Sequence, residues 1–363
     1  MSLENTPKCE TTPDVQLSDE HSLAAPYQVL AHTKAVLVLQ TDAGEILTPN
    51  PEGVSFGNFN LGLHVQDDPR QVLHNRAQLL QYINAYLQQN SLQEDDVDKS
   101  LQAVKSIHWL NQIHSNKVCR IGDKHVDSSA ALLSLVPASA DALVTDLPQQ
   151  ALAIMTADCV PIVLHDPTTG QIAAIHAGWQ GLANGVIAKT YAALSQHALQ
   201  HKGEAIQVSG AIAGLTIQKP AIEAWIGACI GQSCYEVSSE VVEKLLLGCA
   251  ERGMDAKQLE VIKAQIVAPH DDPDKAWLDL PKLAQLQLAE LGIALISATN
   301  QQTNLDIKPV IEAERHISKD EQSYTPIAYA CSYANRQYYS YRRKTHLNET
   351  HTGRMALVIV RLH

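Results

Sequence analysis

Cys159 and His176 are the two residues of this sequence most readily brought together for chemistry. Ala151–His165 is apolar enough for a buried strand. Asp166-Pro167-Thr168-Thr169 has Asp and Pro in the first two places of a type I turn, and Gln171–Gly178 returns as the partner strand. If the turn is a four-residue loop, His165 pairs with Gly170, and counting back sets Cys159 opposite His176. Opposed residues of an antiparallel pair project from one face with Cα atoms roughly 4.5–5.5 Å apart. A thiolate and an imidazole that close share a metal ion or a proton. His114, in the polar loop of Trp109–Val118, is the third candidate. One Cys and two His would supply Zn²⁺ with three protein ligands and leave the fourth position for water or substrate, as catalytic zinc sites do. The spacing leaves plainer readings open: a buried free cysteine with two backbone-bonded histidines, or Cys159 as nucleophile and His176 as base with no metal.

The elements that must position these residues are legible from pattern. Tyr27–Gln40 and Gly53–Val65 alternate as strands. Asp68-Pro69 reads as an N-cap followed by Pro at the first helical position, opening a helix to about Gln89. Ser106–Gly122 reads as strand–loop–strand, Asp141–Thr145 as a short strand, and Gly181–Leu199 as a helix after a Gly-rich turn. Ala221–Ile230 is a predicted strand, Ser238–Cys249 and Pro281–Leu291 predicted helices, and Tyr338–Arg343 and Arg354–Leu362 closing strands. No repeat or Pro/Gly linker divides the middle, which favours a single α/β domain of mixed, partly antiparallel sheets over residues 27–363. Residues 1–26 read as a disordered tail, and Lys202–Pro220 and Asn300–Pro326 as surface additions.

The 363 residues, 45% of them hydrophobic, suffice for a sizeable core. A formal net charge of −12 argues against an extended nucleic-acid surface, and 5% aromatic content leaves few platforms for stacked bases. Met1–His21 has neither the basic segment nor the apolar core of a signal peptide. No run approaches the ~20 apolar residues of a membrane span. Seven scattered cysteines do not look like a disulfide framework, so a cytoplasmic location is expected.

Asn111-Gln-Ile-His114, Ala140-Asp-Ala-Leu-Val-Thr145, Ala157-Asp-Cys-Val-Pro161, His176-Ala-Gly-Trp-Gln-Gly181 and Tyr339-Ser-Tyr-Arg-Arg343 occur in one order. With Gly53–Gly57, His64–Pro69, Asn75-Arg76 and Ile226–Val237, they make the chain resemble the YfiH family over most of Gly53–Val360. These proteins were long called polyphenol oxidases or laccase-domain proteins and were later recognised as purine nucleoside phosphorylases. The resemblance implies a layered α/β/β/α domain, similar to the deamidase domain of cytotoxic necrotizing factor toxins. It also implies a zinc site made by His114, Cys159 and His176, with copper as the other metal associated with the family. The activity implied is cleavage of adenosine, inosine, guanosine or methylthioadenosine with phosphate, together with deamination of adenosine. Nucleoside and phosphate are then the partners, with no nucleic acid and no membrane, and a monomer is favoured.

Phosphorolysis needs an anion pocket, to which bidentate Arg is suited. Arg76, Arg342 and Arg343 are the arginines in family-like motifs, Ser55 adds a hydroxyl, and the Gly178 turn offers backbone N–H groups at a helix start. Strand alternation points only one of Arg342 and Arg343 inward. For deamination a carboxylate must move protons beside a metal-activated water, and Asp158 and Asp141 are the nearest by sequence, as proton carriers or as orienting groups. Trp179 packs beside the site, stacks on a base or belongs to the core, and core packing is the reading for Cys229 and Cys234, which lie near Glu236. The chain departs from the family at Gln180, at the short Ser55–Leu61 loop and at Ala228-Cys229. The competing readings are a copper-dependent polyphenol oxidase, for which no His-x-His spacing provides further ligands, a metal-free Cys–His hydrolase or amidase, and a non-catalytic binding protein.

Overall fold

Residues 25–48, 53–90, 103–122, 137–201, 222–296 and 330–363 are described by the computed structural model of the chain. One sheet has the order β1 (Tyr27–His32), β2 (Val36–Thr41), β16 (Met355–Arg361), β7 (Gln150–Thr156) and β4 (Ser106–His108). A second has the order β14 (Ala294–Leu295), β10 (Glu223–Ile226), β8 (Val160–Asp166), β9 (Gln171–Ala177), β6 (Ala142–Thr145) and β5 (Val118–Ile121). Both are mixed: β4 runs parallel to β7 and β5 to β6, whereas β16 and β9 run antiparallel to both neighbours. Small additions are the parallel pair of β3 (Val54–Ser55) with β15 (His351–Thr352), and the sheet of β11 (Glu236–Ser238), β13 (Lys275–Leu278) and β12 (Val267–Pro269).

Period-2 alternation sorts each central strand onto two buried faces. Val38, Ile154, Leu357 and Ile359 of the first sheet meet Leu143, Val163, Ile172 and Trp225 of the second. The opposite residues, Leu39, Ala153, Val358 and Val360, face Leu79, Ile83 and Leu87 of helix α1 (Pro69–Gln89). The outer face of the second sheet, with Ile162, Leu164 and Ile175, is covered by α2 (Trp179–Ala183), α3 (Val186–His201), α4 (Ser239–Glu251) and, beyond α5 (Ala256–Ile266), α6 (Leu280–Glu290). The result is the expected α/β/β/α layering. No helix among the described residues is long and apolar enough to cross a membrane.

Several local expectations hold for the reasons given. The Asp68 carboxylate accepts the Arg70 N–H at 2.9 Å, and Pro69 opens α1. Others are corrected. Ala151–His165 is two strands in different sheets, because Asp158 takes the left-handed backbone (φ 104°) and turns the chain between them. The hairpin loop is 167–170 rather than 166–169, so Asp166 pairs with Gln171 and Pro161 with His176. Helix 181–199 is divided at Gly185 (φ 74°), where a side chain would meet Arg252. Tyr338–Arg343 forms no strand; Ser340 caps helix α7 (Tyr341–His346) by accepting the Arg343 N–H at 3.0 Å. The stretch that forms α5, β12 and β13 had no reading in the sequence. Residues 1–24, 202–220 and 300–326, which hold most of the expected tail and both surface additions, lie outside the described residues.

Candidate metal centre

The centre lies where the chain passes from the first sheet to the second. Both passages carry a candidate ligand: the β4–β5 loop brings His114, and the β7–β8 turn brings Cys159. The third, His176, stands near the end of β9 and is 3% exposed. The two-residue difference in hairpin register leaves Cys159 on the same side of the sheet as His176, since side chains repeat with a period of two. The donor atoms of His114, Cys159 and His176 all lie within 4.8 Å of one another. Cys159 Sγ is 3.8 Å from His114 Nε2, and the two imidazoles meet edge to face with centroids 4.7 Å apart. Gly178 closes one side: a Cβ there would sit 3.0 Å from Cys159 Sγ and 3.1 Å from the His114 ring. Its backbone therefore belongs to the wall of the site, and a side chain there would press Cys159 and His114 apart by a few tenths of an ångström.

Asp141, fully buried just before β6, holds the arrangement. Oδ1 accepts the N–H groups of Ile113 (3.1 Å) and His114 (2.9 Å), and Oδ2 accepts the Ser115 N–H (2.6 Å) and hydroxyl (2.7 Å). This pins the loop that carries His114 in the left-handed region (φ 58°), a conformation costing about 1–3 kcal/mol for a non-glycine residue. Oδ1 also lies 2.9 Å from His176 Nδ1. An ionised carboxylate only accepts, so a proton is held on Nδ1, and a metal would take the place of the second proton on Nε2. Gln112 fastens the same loop to β7, donating to Met155 O at 2.7 Å and accepting the Met155 N–H at 2.9 Å.

The electrostatics suit a soft cation. Burial raises the Cys159 thiol pKa, but the His176 charge and hydrogen bonds from His114 and His176 outweigh it and bring it down. Burial lowers that of His176, yet the Cys159 thiolate and Asp141 outweigh it and push it up. Burial likewise opposes ionisation of Asp141, and its bonds to His176 and Ser115 prevail and hold its carboxyl below the ordinary range. One thiolate and two imidazoles fit Zn²⁺ or copper, and three protein donors leave a coordination position open.

The other predicted site residues divide. The oxygens of Asp158 are taken, Oδ1 by the Ser332 hydroxyl and Oδ2 by the Arg342 N–H, each at 2.7 Å. It ties the Cys159 turn to the start of α7. Arg343 is buried and donates to the carbonyls of Ser332, Tyr333 and Tyr338, so it holds the loop before α7 together. The Arg342 guanidinium donates to Glu236 O at 2.6 Å and lies over the Tyr235 ring. Arg76 donates Nε and Nη2 to Leu61 O at 2.9 and 2.8 Å, and stacks 4.2 Å from the Trp109 ring centre. Burial draws its pKa down to about 10, so it remains a cation at neutral pH. Ser55 is buried in β3, and the helix that follows Gly178 is the short α2. Trp179 packs against the outer core of the second sheet.

Arg354 has no reading in the sequence beyond opening the last strand. Its stem crosses Gly62, where a Cβ would meet its Cγ at 2.8 Å, and its N–H donates to Asn60 Oδ1 at 2.8 Å. Burial lowers its pKa, against the attraction of Cys159 and Asp158, which share its surroundings. The signal in the sequence was Gly353-Arg354, a cation set directly after a glycine at the mouth of a strand.

Fold and centre together define a layered α/β/β/α protein with a three-donor His–Cys–His site at the seam of its sheets. Residues 46–362 match the family described as multi-copper polyphenol oxidoreductase laccase, and the chain belongs to that family. It is 38% identical over 155 residues to a Corynebacterium glutamicum protein named purine nucleoside phosphorylase, an alignment covering 42% of this chain and 54% of that one. The chain thus spans about half the length of that relative. A Pseudomonas aeruginosa protein of the same name is 27% identical, with 69% of this chain and 78% of that one covered. The purine nucleoside phosphorylase YfiH of Shigella flexneri is 28% identical, with coverages of 66% and 74%. Among solved structures, a Neisseria meningitidis protein has a TM-score of 0.58 at 24% identity, covering 93% of this chain and all of that one. Bacillus licheniformis YfiH has a TM-score of 0.56 at 22% identity, with coverages of 90% and 92%. These two likenesses bear on the fold.

Proposed function

We propose that the chain is a zinc-dependent purine nucleoside phosphorylase, which cleaves adenosine, inosine, guanosine or methylthioadenosine with phosphate and deaminates adenosine as a side activity. The observation that carries this reading is the open His114–Cys159–His176 centre with Arg354 sharing its surroundings. Zn²⁺ held there supplies Lewis-acid polarisation of a bound group. Phosphate is held by Arg354, with Arg76 behind it and the Gly178 backbone as a further donor. A phosphate oxygen attacks C1′ of the ribose, the glycosidic bond breaks, and the bonding pair leaves with the purine, giving ribose 1-phosphate and free base. Asp141 and Asp158 act by position, since the oxygens of each are occupied by protein donors. Deamination draws its proton carrier from elsewhere in the site or from solvent.

The polyphenol oxidase reading keeps the family's description, but a multicopper centre needs several ligand clusters. The described residues contain one group of His, Cys and acidic donors spaced for a metal, His114–Cys159–His176. The deciding assay incubates protein of measured zinc and copper content with adenosine or inosine, with and without phosphate. Base and ribose 1-phosphate are expected in equal amounts, and only with phosphate. Base release without phosphate, or phenol oxidation that tracks copper while nucleosides stay intact, would overturn the proposal.

A further inference from the structure

A second group of thiols lies where the segment after β10 meets the one leading to α7. Cys229 and Cys331 are partners in an isolated parallel bridge, in which the Cys229 N–H donates to Ala330 O at 3.2 Å and the Ser332 N–H to Cys229 O at 2.9 Å. Cys234 ends the 3₁₀ turn Gln232–Cys234, its N–H donating to Gly231 O at 3.0 Å, and Gly231 packs on Cys331, a Cβ there lying 3.4 Å from Sγ, so the two thiols are electrostatic neighbours. The Cys331 sulfur accepts the Gly231 N–H at 3.3 Å. The core packing expected for both cysteines of 229–234 describes Cys229, which is fully buried, but not the half-buried Cys234.

A sulfur that accepts a backbone N–H and neighbours a second thiol is placed to carry negative charge. The Cys234 thiol and backbone N–H groups draw the Cys331 pKa down against the effect of burial, and the same pairing pushes that of Cys234 up. Thiolate character and partial exposure are what separate oxidisable cysteines from inert buried ones.

We infer that Cys331 and Cys234 form a modification site, a dithiol oxidised by hydroperoxides to a disulfide, with Cys331 as the attacking sulfur and Cys234 as the resolving one. In the first step the Cys331 thiolate attacks a peroxide oxygen. An S–O bond forms, the O–O bond breaks, and the other oxygen leaves as hydroxide or alkoxide, protonated by water, so the peroxide is reduced as the sulfur is oxidised to a sulfenic acid. In the second, the Cys234 sulfur attacks the Cys331 sulfur, the S–S bond forms, the S–O bond breaks, and hydroxide leaves with the Cys234 proton as water. An external dithiol reverses the reaction. The site is tied to the metal centre through Ser332, next to Cys331, whose hydroxyl donates to Asp158, and through the Ile230 N–H, which donates to Asp158 O at 2.9 Å.

The test uses full-length, metal-loaded protein exposed to hydrogen peroxide, then alkylated, digested and mapped by mass spectrometry, so it is independent of the activity proposed above. The expected product joins the Cys234 and Cys331 peptides, is lighter by two hydrogen atoms and vanishes on treatment with dithiothreitol. Cys331 is expected to be lost from the alkylated pool about tenfold faster than buried Cys249. In Cys234→Ser, whose fold is checked by circular dichroism, Cys331 is expected to remain a sulfenic acid that dimedone traps. Oxidation of Cys331 no faster than Cys249, or a cross-link from Cys331 to a cysteine other than Cys234, would overturn the inference; both are read on the wild-type protein.

Discussion

Asp141 sets both the ring orientation of His176 and the left-handed loop of His114, so one carboxylate controls two of three ligands. Asp141→Asn keeps the shape but puts an NH₂ where an oxygen accepts, so one set of those donors loses its partner. Zinc affinity is expected to fall about 10–100-fold, as for other groups that orient a ligating histidine, and competition against a chelator reads it. An unchanged affinity would show that packing alone holds the loop. The carboxylate also predicts a pH dependence. Its folded pKa lies below its unfolded value, so its contribution to stability is complete above the unfolded value of about 3.9 and is lost as pH falls through the folded one. The stability gap between wild type and Asp141→Asn in denaturant is therefore expected to shrink in acid below about pH 4, and to narrow also as pH rises from about 6.5 toward about 9, where His176, raised in part by Asp141, loses its proton.

At the scale of elements, two arginines of similar appearance in the sequence have different duties. Arg343 lies in the first turn of α7 with both Nη groups on backbone carbonyls, whereas Arg354, just before β16, gives Nη1 to the Thr352 and Gly353 carbonyls and has Cys159 and Asp158 in its surroundings. Arg343→Ala strands buried acceptors, at about 1–3 kcal/mol for each one left unmet, so a lower denaturation midpoint with an unchanged phosphate KM is expected. Arg354→Ala is expected to do the reverse, raising the phosphate KM about tenfold or more, the worth of one charge-assisted bond, while metal content stays intact. Steady-state kinetics with varied phosphate, beside a denaturation curve, separates the two. Equal behaviour of both variants would remove Arg354 from the anion site.

For the whole molecule, the centre lies on both passages from the first sheet to the second, so a bound ion would brace the seam. A ligand that binds only the folded state stabilises it by about 2.7 kcal/mol at a hundredfold excess over Kd. Chelation is accordingly expected to lower the thermal midpoint, and restored zinc to recover it. Cys159→Ala is expected to abolish that zinc-dependent increment and turnover together, while the sheets, buried through Ile154, Leu357 and Ile359, keep their circular dichroism. A midpoint indifferent to zinc in the wild type would place the ion outside the seam.

The amino-acid sequence by itself determined the central apolar strands, the period-3.6 helix α1 with its Asp68 cap and the mixed α/β class, and it offered Cys159, His176 and His114 as candidates for one site. These follow from local pattern and residue type, whereas the layering and the three residues as a zinc site came with the resemblance to the YfiH family, and the period-2 pattern of Gly53–Val65 yielded only the two-residue β3. The face shared by Cys159 and His176 survived a wrong loop assignment because a slip of two residues preserves the side of a strand. Only the tertiary structure decided that the run around Asp158 is two strands in separate sheets, since its apolar residues are as compatible with one long strand as with two. Only it separated Arg343 from Arg354, because a guanidinium binds a carbonyl or an anion equally well and its neighbours choose. It likewise brought Cys331 beside Cys234, a pairing set by where distant segments of the chain meet, which local sequence does not encode.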